Sequence, residues 1–171
     1  MFDVRICPHK LLLQHREELE KTPFSAVLCS SEPLKESLYR WISRQIRLEF
    51  IDTTVDRMDA FRPEQAAEIA DFVRNTPENS TIFFCCDSGV SRSSALAAAC
   101  LRFSGGDEME VWTDPEYHPN PLVYRLQCEA FGIRVSAKEL KEKLRISDNA
   151  LTAAIRHSQR RKTPQSLVIG H

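Results

Sequence analysis

The chain has 171 residues, of which 42% are hydrophobic and 27% are charged. This length and composition predict one globular domain, or one domain with a small appendage, that buries its core without disulfides or metal ions. The net charge of −1 excludes a general electrostatic attraction to nucleic acid or membranes. The charge is unevenly distributed, however, because residues 135–171 carry a net +5 and residues 1–134 a net −6. We therefore expect a main domain over residues 1–134 and a basic helical C-terminal extension over residues 135–171.

The N-terminal ten residues carry scattered charges and lack the apolar run of a signal peptide. No stretch reaches the ~20 apolar residues that span a bilayer, so no membrane partner is expected. The six cysteines do not form the dense pattern of a secreted disulfide-rich domain, which makes a reducing cytoplasm the expected setting. No group of cysteines and histidines has zinc-binding spacing, and we expect neither a metal nor another cofactor.

Apolar, β-branched runs alternate with helical patterns along the main domain. The runs predict strands over residues 4–7, 26–30, 46–51 and 82–85. The helical patterns cover residues 33–42, 63–73, 93–103 and 120–131. This alternation predicts an α/β fold of three layers, with a mostly parallel central sheet flanked by helices.

The basic extension has its own helical signals. Ser136 and Glu139 form a capping box that begins a short helix ending near Leu144. Residues 146–149 have turn composition, and residues 150–161 have a second helical pattern, so we expect a C-terminal helical hairpin. The hairpin resembles a helix-turn-helix unit. Packing on the main domain is the favoured interpretation, and contact with nucleic acid or a protein partner are the two alternatives.

Cys86 and Arg92 are separated by five residues, a spacing that Cys128 and Arg134 share at the end of a predicted helix. Only at Cys86 does an apolar strand lead into a loop of small residues that a helix follows directly. The backbone N–H groups of such a loop, with the helix N-terminus behind them, bind a phosphate dianion. Arg92 adds a planar fork for two phosphate oxygens, and the same field favours the thiolate form of Cys86, a nucleophile toward phosphorus. The expected phosphate-binding residues are Asp87, Ser88, Gly89, Val90, Ser91 and Arg92.

The segment from Cys86 to Ser93 resembles the signature loop of the cysteine-dependent protein tyrosine and dual-specificity phosphatase superfamily, closest to its small bacterial and phage-type members. The resemblance extends over roughly residues 45–132 and implies the three-layer phosphatase fold. It also implies a phosphocysteine at Cys86, transition-state binding by Arg92 and assistance in hydrolysis by Ser93. The implied reaction is hydrolysis of phosphate monoesters, above all protein phosphotyrosine, with dual specificity as an extension. Small-molecule, lipid or RNA-end phosphates are alternative substrates, and a phosphate-binding pseudophosphatase or interaction module is the alternative function.

The sequence leaves two features of the family's active site undecided. The family usually has histidine before the nucleophile, where this chain has Cys85, so the histidine's help in setting the loop is missing. A disulfide between Cys85 and Cys86 is a minor hypothesis, because adjacent cysteines form strained bridges. The family's general acid is an aspartate on a loop upstream of the cysteine. Asp52 matches it by its place at a predicted strand end, Asp56 by lying 30 residues before Cys86, and Asp59 is a third candidate.

Overall fold

The four apolar runs form one sheet of parallel strands in the computed structural model, which describes residues 2–162. The strands are β1 Asp3–Pro8, β2 Phe24–Ser30, β3 Arg44–Glu49 and β4 Thr81–Cys86. Their order across the sheet is β1-β4-β2-β3, and every neighbouring pair is parallel. The strand that leads to Cys86 is therefore internal, with a hydrogen-bonded neighbour on each side. The predicted parallel sheet is confirmed.

Helices cover both faces of this sheet. The helices of the described part are α1 His9–Gln14, α2 Arg16–Leu19, α3 Glu36–Tyr39, α4 Pro63–Arg74, α5 Arg92–Ser104, α6 Met109–Thr113, α7 Pro121–Ala130 and α8 Ala137–Lys162. Buried residues of α4, α5 and α7 pack on one face of the sheet. Leu12 of α1 and Tyr39 of α3 pack on the other face. The three-layer α/β architecture is therefore confirmed, and α6 and α8 pack beside α5 and α7.

Local sequence explains where two of these helices begin and end. The backbone of α5 passes into the left-handed region at Gly105, and the Gly106 N–H donates to the Leu101 carbonyl at 2.8 Å. The side chain of Asn120 caps α7 by accepting the N–H groups of Leu122 and Val123. The end of α5 and the start of α7 both lie close to the positions predicted from the sequence, because capping residues act locally.

The predicted helix over residues 33–42 is wrong in extent, since only α3 is helical there. The Gln45 side-chain amide donates to the carbonyls of Tyr39 and Ile42, at 2.7 and 2.9 Å. These bonds satisfy carbonyl groups at and just after the last residue of α3, and the helix ends before β3 begins. The short helices α1, α2 and α6 are absent from the sequence prediction.

The predicted C-terminal hairpin is also wrong, because α8 is one continuous helix through residues 146–149. Its polar side chains there bond to the main domain instead of forming a turn. The Ser147 hydroxyl donates to the Tyr117 carbonyl at 3.4 Å, and Asp148 pairs with His118 at 2.9 Å. Within residues 2–162 no helix is long and apolar enough to cross a bilayer. The rest of the predicted extension, residues 163–171, lies outside the described residues.

A network of ionic and polar side chains holds the first half of α8 against α6 and α7. Glu108 is its centre and binds Lys143 of α8 at 3.0 Å and the hydroxyl of Tyr124. Arg102 of α5 joins the network through Tyr124 and through Glu139 of α8. The side chains of Lys143 and Glu108 are only 9% and 14% exposed, so solvent screens their attraction little.

Lys143→Ala is expected to lower the free energy of unfolding by about 2 kcal/mol, because a buried carboxylate loses a charged hydrogen-bond donor. Urea denaturation followed by circular dichroism measures this change. Lys141→Ala is the matched control, since Lys141 is exposed on the same helix. Equal stability of the two variants would show that the network does not hold α8.

Candidate active site

The loop from Cys86 to Arg92 joins the carboxyl end of β4 to the first turn of α5, as predicted. Cys86 is almost fully buried, at 1% exposure. Its sulfur accepts a hydrogen bond from the Gly89 N–H at 3.2 Å and lies 3.0 Å from the Ser93 hydroxyl oxygen. Both neighbours can donate to a negatively charged sulfur. The Cys86 sulfur therefore lies between two hydrogen-bonding groups of its own strand–loop–helix segment.

Two features of this loop require a glycine at position 89. Its φ is +73°, in the left-handed region that L side chains rarely adopt. A Cβ atom at this position would lie 2.6 Å from the backbone nitrogen of Pro8 and 2.9 Å from the carbonyl carbon of Cys7. The loop therefore rests directly on the Cys7–Pro8 peptide at the end of β1.

Arg92 ends the loop as the first residue of α5 and is 4% exposed. One terminal nitrogen, Nη1, donates to the Phe50 carbonyl at 2.8 Å and to the Ser31 hydroxyl at 3.1 Å. The other, Nη2, pairs with the Asp87 carboxylate at 2.6 Å. The buried Nε has no hydrogen-bond partner among the described residues. A buried guanidinium with a free donor beside the loop is suited to bind an oxyanion.

Asp87 is predicted as a phosphate-binding residue, but its carboxylate is bonded to Arg92. Burial raises the pKa of the Asp87 carboxyl, but the hydrogen bond and charge of Arg92 outweigh it and leave this pKa below its ordinary value. The Ser31 N–H and hydroxyl also donate to this carboxylate, both at 3.4 Å. An anionic ligand at Arg92 would therefore meet Asp87 as a competing carboxylate.

The three candidate acids lie on one exposed loop, and only Asp52 contacts the signature loop. Its Oδ1 accepts the Ser91 hydroxyl at 2.9 Å and the Asn120 side-chain amide at 2.8 Å. Asp59 pairs with Arg57 at 2.6 Å. Asp56 is exposed between them.

The segment of residues 117–120, which we call the strap, runs along the outside of the signature loop. The His118 N–H donates to the Val90 carbonyl at 3.0 Å, and the Asn120 N–H to the Ser91 carbonyl at 3.2 Å. The sequence predicts Asn120 as a helix cap, and the structure adds its bonds to Asp52 and the loop. Nothing local in the sequence indicates Ser31 or the Phe50 carbonyl, since each follows a different strand and reaches Arg92 only through the sheet.

The two adjacent cysteines point to opposite sides of the sheet. Cys86 packs with the core that faces α5, whereas Cys85 packs with the core that faces α1. Successive side chains of a strand alternate in this way, which disfavours a bridge between them. Both thiols are free. Within residues 2–162 no cluster of three or more His, Cys, Asp or Glu is arranged to hold a metal ion.

Comparison with known proteins finds no matching family model and no matching curated protein. Similar solved structures include human DUSP28, with 15% identity, coverage of 88% of this chain and 94% of that chain, and a TM-score of 0.45. PTPMT1 in complex with PI(5)P has 14% identity, coverage of 89% and 94%, and a TM-score of 0.44. Tk-PTP in its active form has 18% identity, coverage of 85% and 90%, and a TM-score of 0.43. These are phosphatases of the type that the segment at Cys86 resembles.

Asn120 should contribute to stability as the cap of α7 and through its side-chain amide, which donates to Asp52 and to the Thr53 carbonyl. Asn120→Ala removes the cap of α7 and the bond to Asp52, and we expect a loss of about 1–2 kcal/mol in unfolding free energy. Asn120→Asp keeps the cap but places a second carboxylate beside Asp52. Its deficit should shrink as the pH is lowered, because protonation of one of two adjacent carboxylates removes their repulsion and supplies a hydrogen-bond donor to the other.

Urea denaturation at pH 7 and pH 4.5 tests this, each variant being compared with wild type at the same pH. A deficit of Asn120→Asp that stays constant with pH would contradict the contact with Asp52.

Proposed function

We propose that this protein hydrolyses phosphate monoesters through a covalent phosphocysteine at Cys86. The observation that carries the proposal is the arrangement around the Cys86 sulfur. The buried Cys86 sulfur accepts a backbone N–H and lies against the Ser93 hydroxyl, at the start of a loop that ends with the buried Arg92. This arrangement combines a nucleophile, an oxyanion site and a hydroxyl donor within one strand–loop–helix segment.

In the proposed first step the Cys86 thiolate attacks phosphorus, and the bond from phosphorus to the leaving oxygen breaks. Loop N–H groups and the Arg92 guanidinium hold the equatorial oxygens, where charge develops in the transition state. In the second step a water molecule attacks the phosphocysteine and releases inorganic phosphate. Ser93 then donates to the departing sulfur, to which its hydroxyl already lies within hydrogen-bonding distance.

Asp52 is the proposed general acid, which protonates the leaving oxygen and later takes a proton from the attacking water. It is the candidate whose carboxylate contacts the signature loop, through Ser91. Both of its donors bond to Oδ1, so a proton on Oδ2 is compatible with this network. Ser91 and Asn120 are then positioning residues for the acid. Asp56 and Asp59 are the rival acids on the same loop.

The proposed substrates are aryl phosphates, with protein phosphotyrosine as the leading one. Exposed apolar side chains of the signature loop and of the loop that carries Asp52 support this. Val90 of the signature loop is 37% exposed, and Val55 and Met58 on the loop after Asp52 are 64% and 89% exposed. An aromatic leaving group would find apolar surface there, whereas these side chains offer nothing to a second phosphate.

A phosphate-binding module without turnover is the second candidate. The ion pair of Arg92 with Asp87 favours it, because a carboxylate already occupies one arm of the guanidinium. The replacement of the family's histidine by Cys85 points the same way.

Cys86→Ser should abolish release of p-nitrophenol from p-nitrophenyl phosphate while retaining affinity for inorganic phosphate. A serine hydroxyl is a far weaker nucleophile than a thiolate, yet it leaves the loop N–H groups and Arg92 in place. Turnover assays and isothermal titration calorimetry measure the two properties. Cys128→Ala is the control, because it removes a buried thiol that lies on α7.

Turnover by Cys86→Ser would contradict the assignment of Cys86 as the nucleophile. A folded wild type that binds phosphate but never turns over would instead establish the binding module.

Among Asp52→Asn, Asp56→Asn and Asp59→Asn, we expect only the first to lose about 10²–10⁴-fold in kcat on phenyl phosphate. The same variant should lose much less on p-nitrophenyl phosphate, because p-nitrophenolate leaves without a proton. The comparison of the two substrates separates loss of the acid from damage to the loop. An equal loss on both substrates would make Asp52 structural, and a selective loss in Asp56→Asn would transfer the role to Asp56.

A further inference from the structure

Two thiols outside the proposed mechanism lie against each other in the sheet. Cys7 on β1 and Cys85 on β4 are register partners on adjacent parallel strands. Their sulfur atoms are 3.4 Å apart, and both cysteines are free. Neighbouring strands run about 4.8 Å apart, which falls within the range of Cα separations that disulfides span. The pair therefore lies within bridging distance once the two sulfur atoms approach each other.

A small oxidant has a route to this pair. Cys7 is 6% exposed and lines a cavity of about 210 Å³ next to α1 and α2, whereas Cys85 is fully buried. The hydrogen bond with Cys85 lowers the pKa of the Cys7 thiol, against the opposing effect of burial. Of the two cysteines, Cys7 is thus the one that lines the cavity and whose thiol has a lowered pKa.

We propose that Cys7 and Cys85 are an oxidation site at which a hydroperoxide forms a reversible disulfide inside the sheet. Hydrogen peroxide oxidises the Cys7 thiol to a sulfenic acid and is reduced to one water. The Cys85 sulfur then attacks the sulfenic sulfur, a sulfur–sulfur bond forms, and a second water leaves with the Cys85 proton. Two thiols and one peroxide thus give one disulfide and two waters.

The disulfide is coupled to the signature loop through the backbone of Cys7. The sulfurs must approach from 3.4 Å to a bond of about 2.05 Å, which moves the ends of β1 and β4. Gly89 rests on the Cys7–Pro8 peptide, and Cys86 follows Cys85 directly. The disulfide is therefore expected to displace the loop and weaken phosphate binding there. This consequence rests on the proposed function, whereas formation of the disulfide does not.

Peptide mapping of the full chain with Cys86→Ser tests the bond. In this variant Cys85 is the single cysteine of its segment. A disulfide mapped to that segment must therefore be formed by Cys85. After treatment with hydrogen peroxide, alkylation and proteolysis, mass spectrometry should find the Cys7 peptide linked to the Cys85 peptide. Dithiothreitol should release the link, and Cys7→Ala or Cys85→Ala in the same background should lack it.

Cys7 and Cys85 that both remain alkylatable, or a bridge from either one to Cys29, Cys100 or Cys128, would overturn the proposal.

Calorimetric titration with inorganic phosphate tests the coupling in the same Cys86→Ser protein. Oxidation should weaken phosphate affinity by about tenfold or more, and dithiothreitol should restore it. The matched control is Cys100→Ala, which keeps the pair and should respond to peroxide in the same way, whereas Cys7→Ala should not respond. Unchanged affinity in a protein that carries the mapped disulfide would overturn the coupling. Absence of phosphate binding in the reduced protein would contradict the proposed function and the coupling, while the peptide map still decides on the disulfide.

Discussion

The close approach of Gly89 to the Cys7–Pro8 peptide is the constraint on which the site depends. β1 lies beside β4 in register, with Pro8 opposite Cys86, so the end of β1 forms the floor of the signature loop. Only a residue without Cβ fits above that floor. Once Gly89 lies there with a positive φ, its N–H faces the Cys86 sulfur. The conformation of the loop thus follows from the order of strands in the sheet as well as from its own sequence.

Arg92 extends this dependence to the other two strands. Its guanidinium binds the Ser31 hydroxyl just after β2 and the Phe50 carbonyl just after β3. Carboxyl ends of parallel strands meet at one edge of a sheet, and one buried side chain can therefore contact several of them. Burial of a guanidinium costs several kcal/mol unless its donors are satisfied, and these bonds offset that cost. The same bonds fix the orientation in which Arg92 would meet the oxyanion of the proposed reaction.

The local parts of this structure and its layered α/β class could be predicted from the sequence, whereas the individual tertiary contacts at the site could not. The four strands, the loop between β4 and α5 and the cap at Asn120 all have signals within a few residues of themselves. Ser31 has no such signal, because its contact with Arg92 depends on which strands are neighbours. The prediction of a turn at residues 146–149 was wrong for a related reason. Ser147 and Asp148 have turn-forming side chains, but they bond to the strap instead of to their own backbone.

The strap joins the C-terminal helix to the signature loop, which gives the continuity of α8 a physical role. His118 donates its backbone N–H to Val90 in the loop, and its side chain pairs with Asp148 of α8. A hairpin that turned at residues 146–149 would remove Asp148 from this position. The predicted boundary at residue 134 stays a prediction about domains, but it does not separate the site from the extension. The first half of α8 supports the strap, and the strap holds the outer side of the loop that contains the proposed phosphate site.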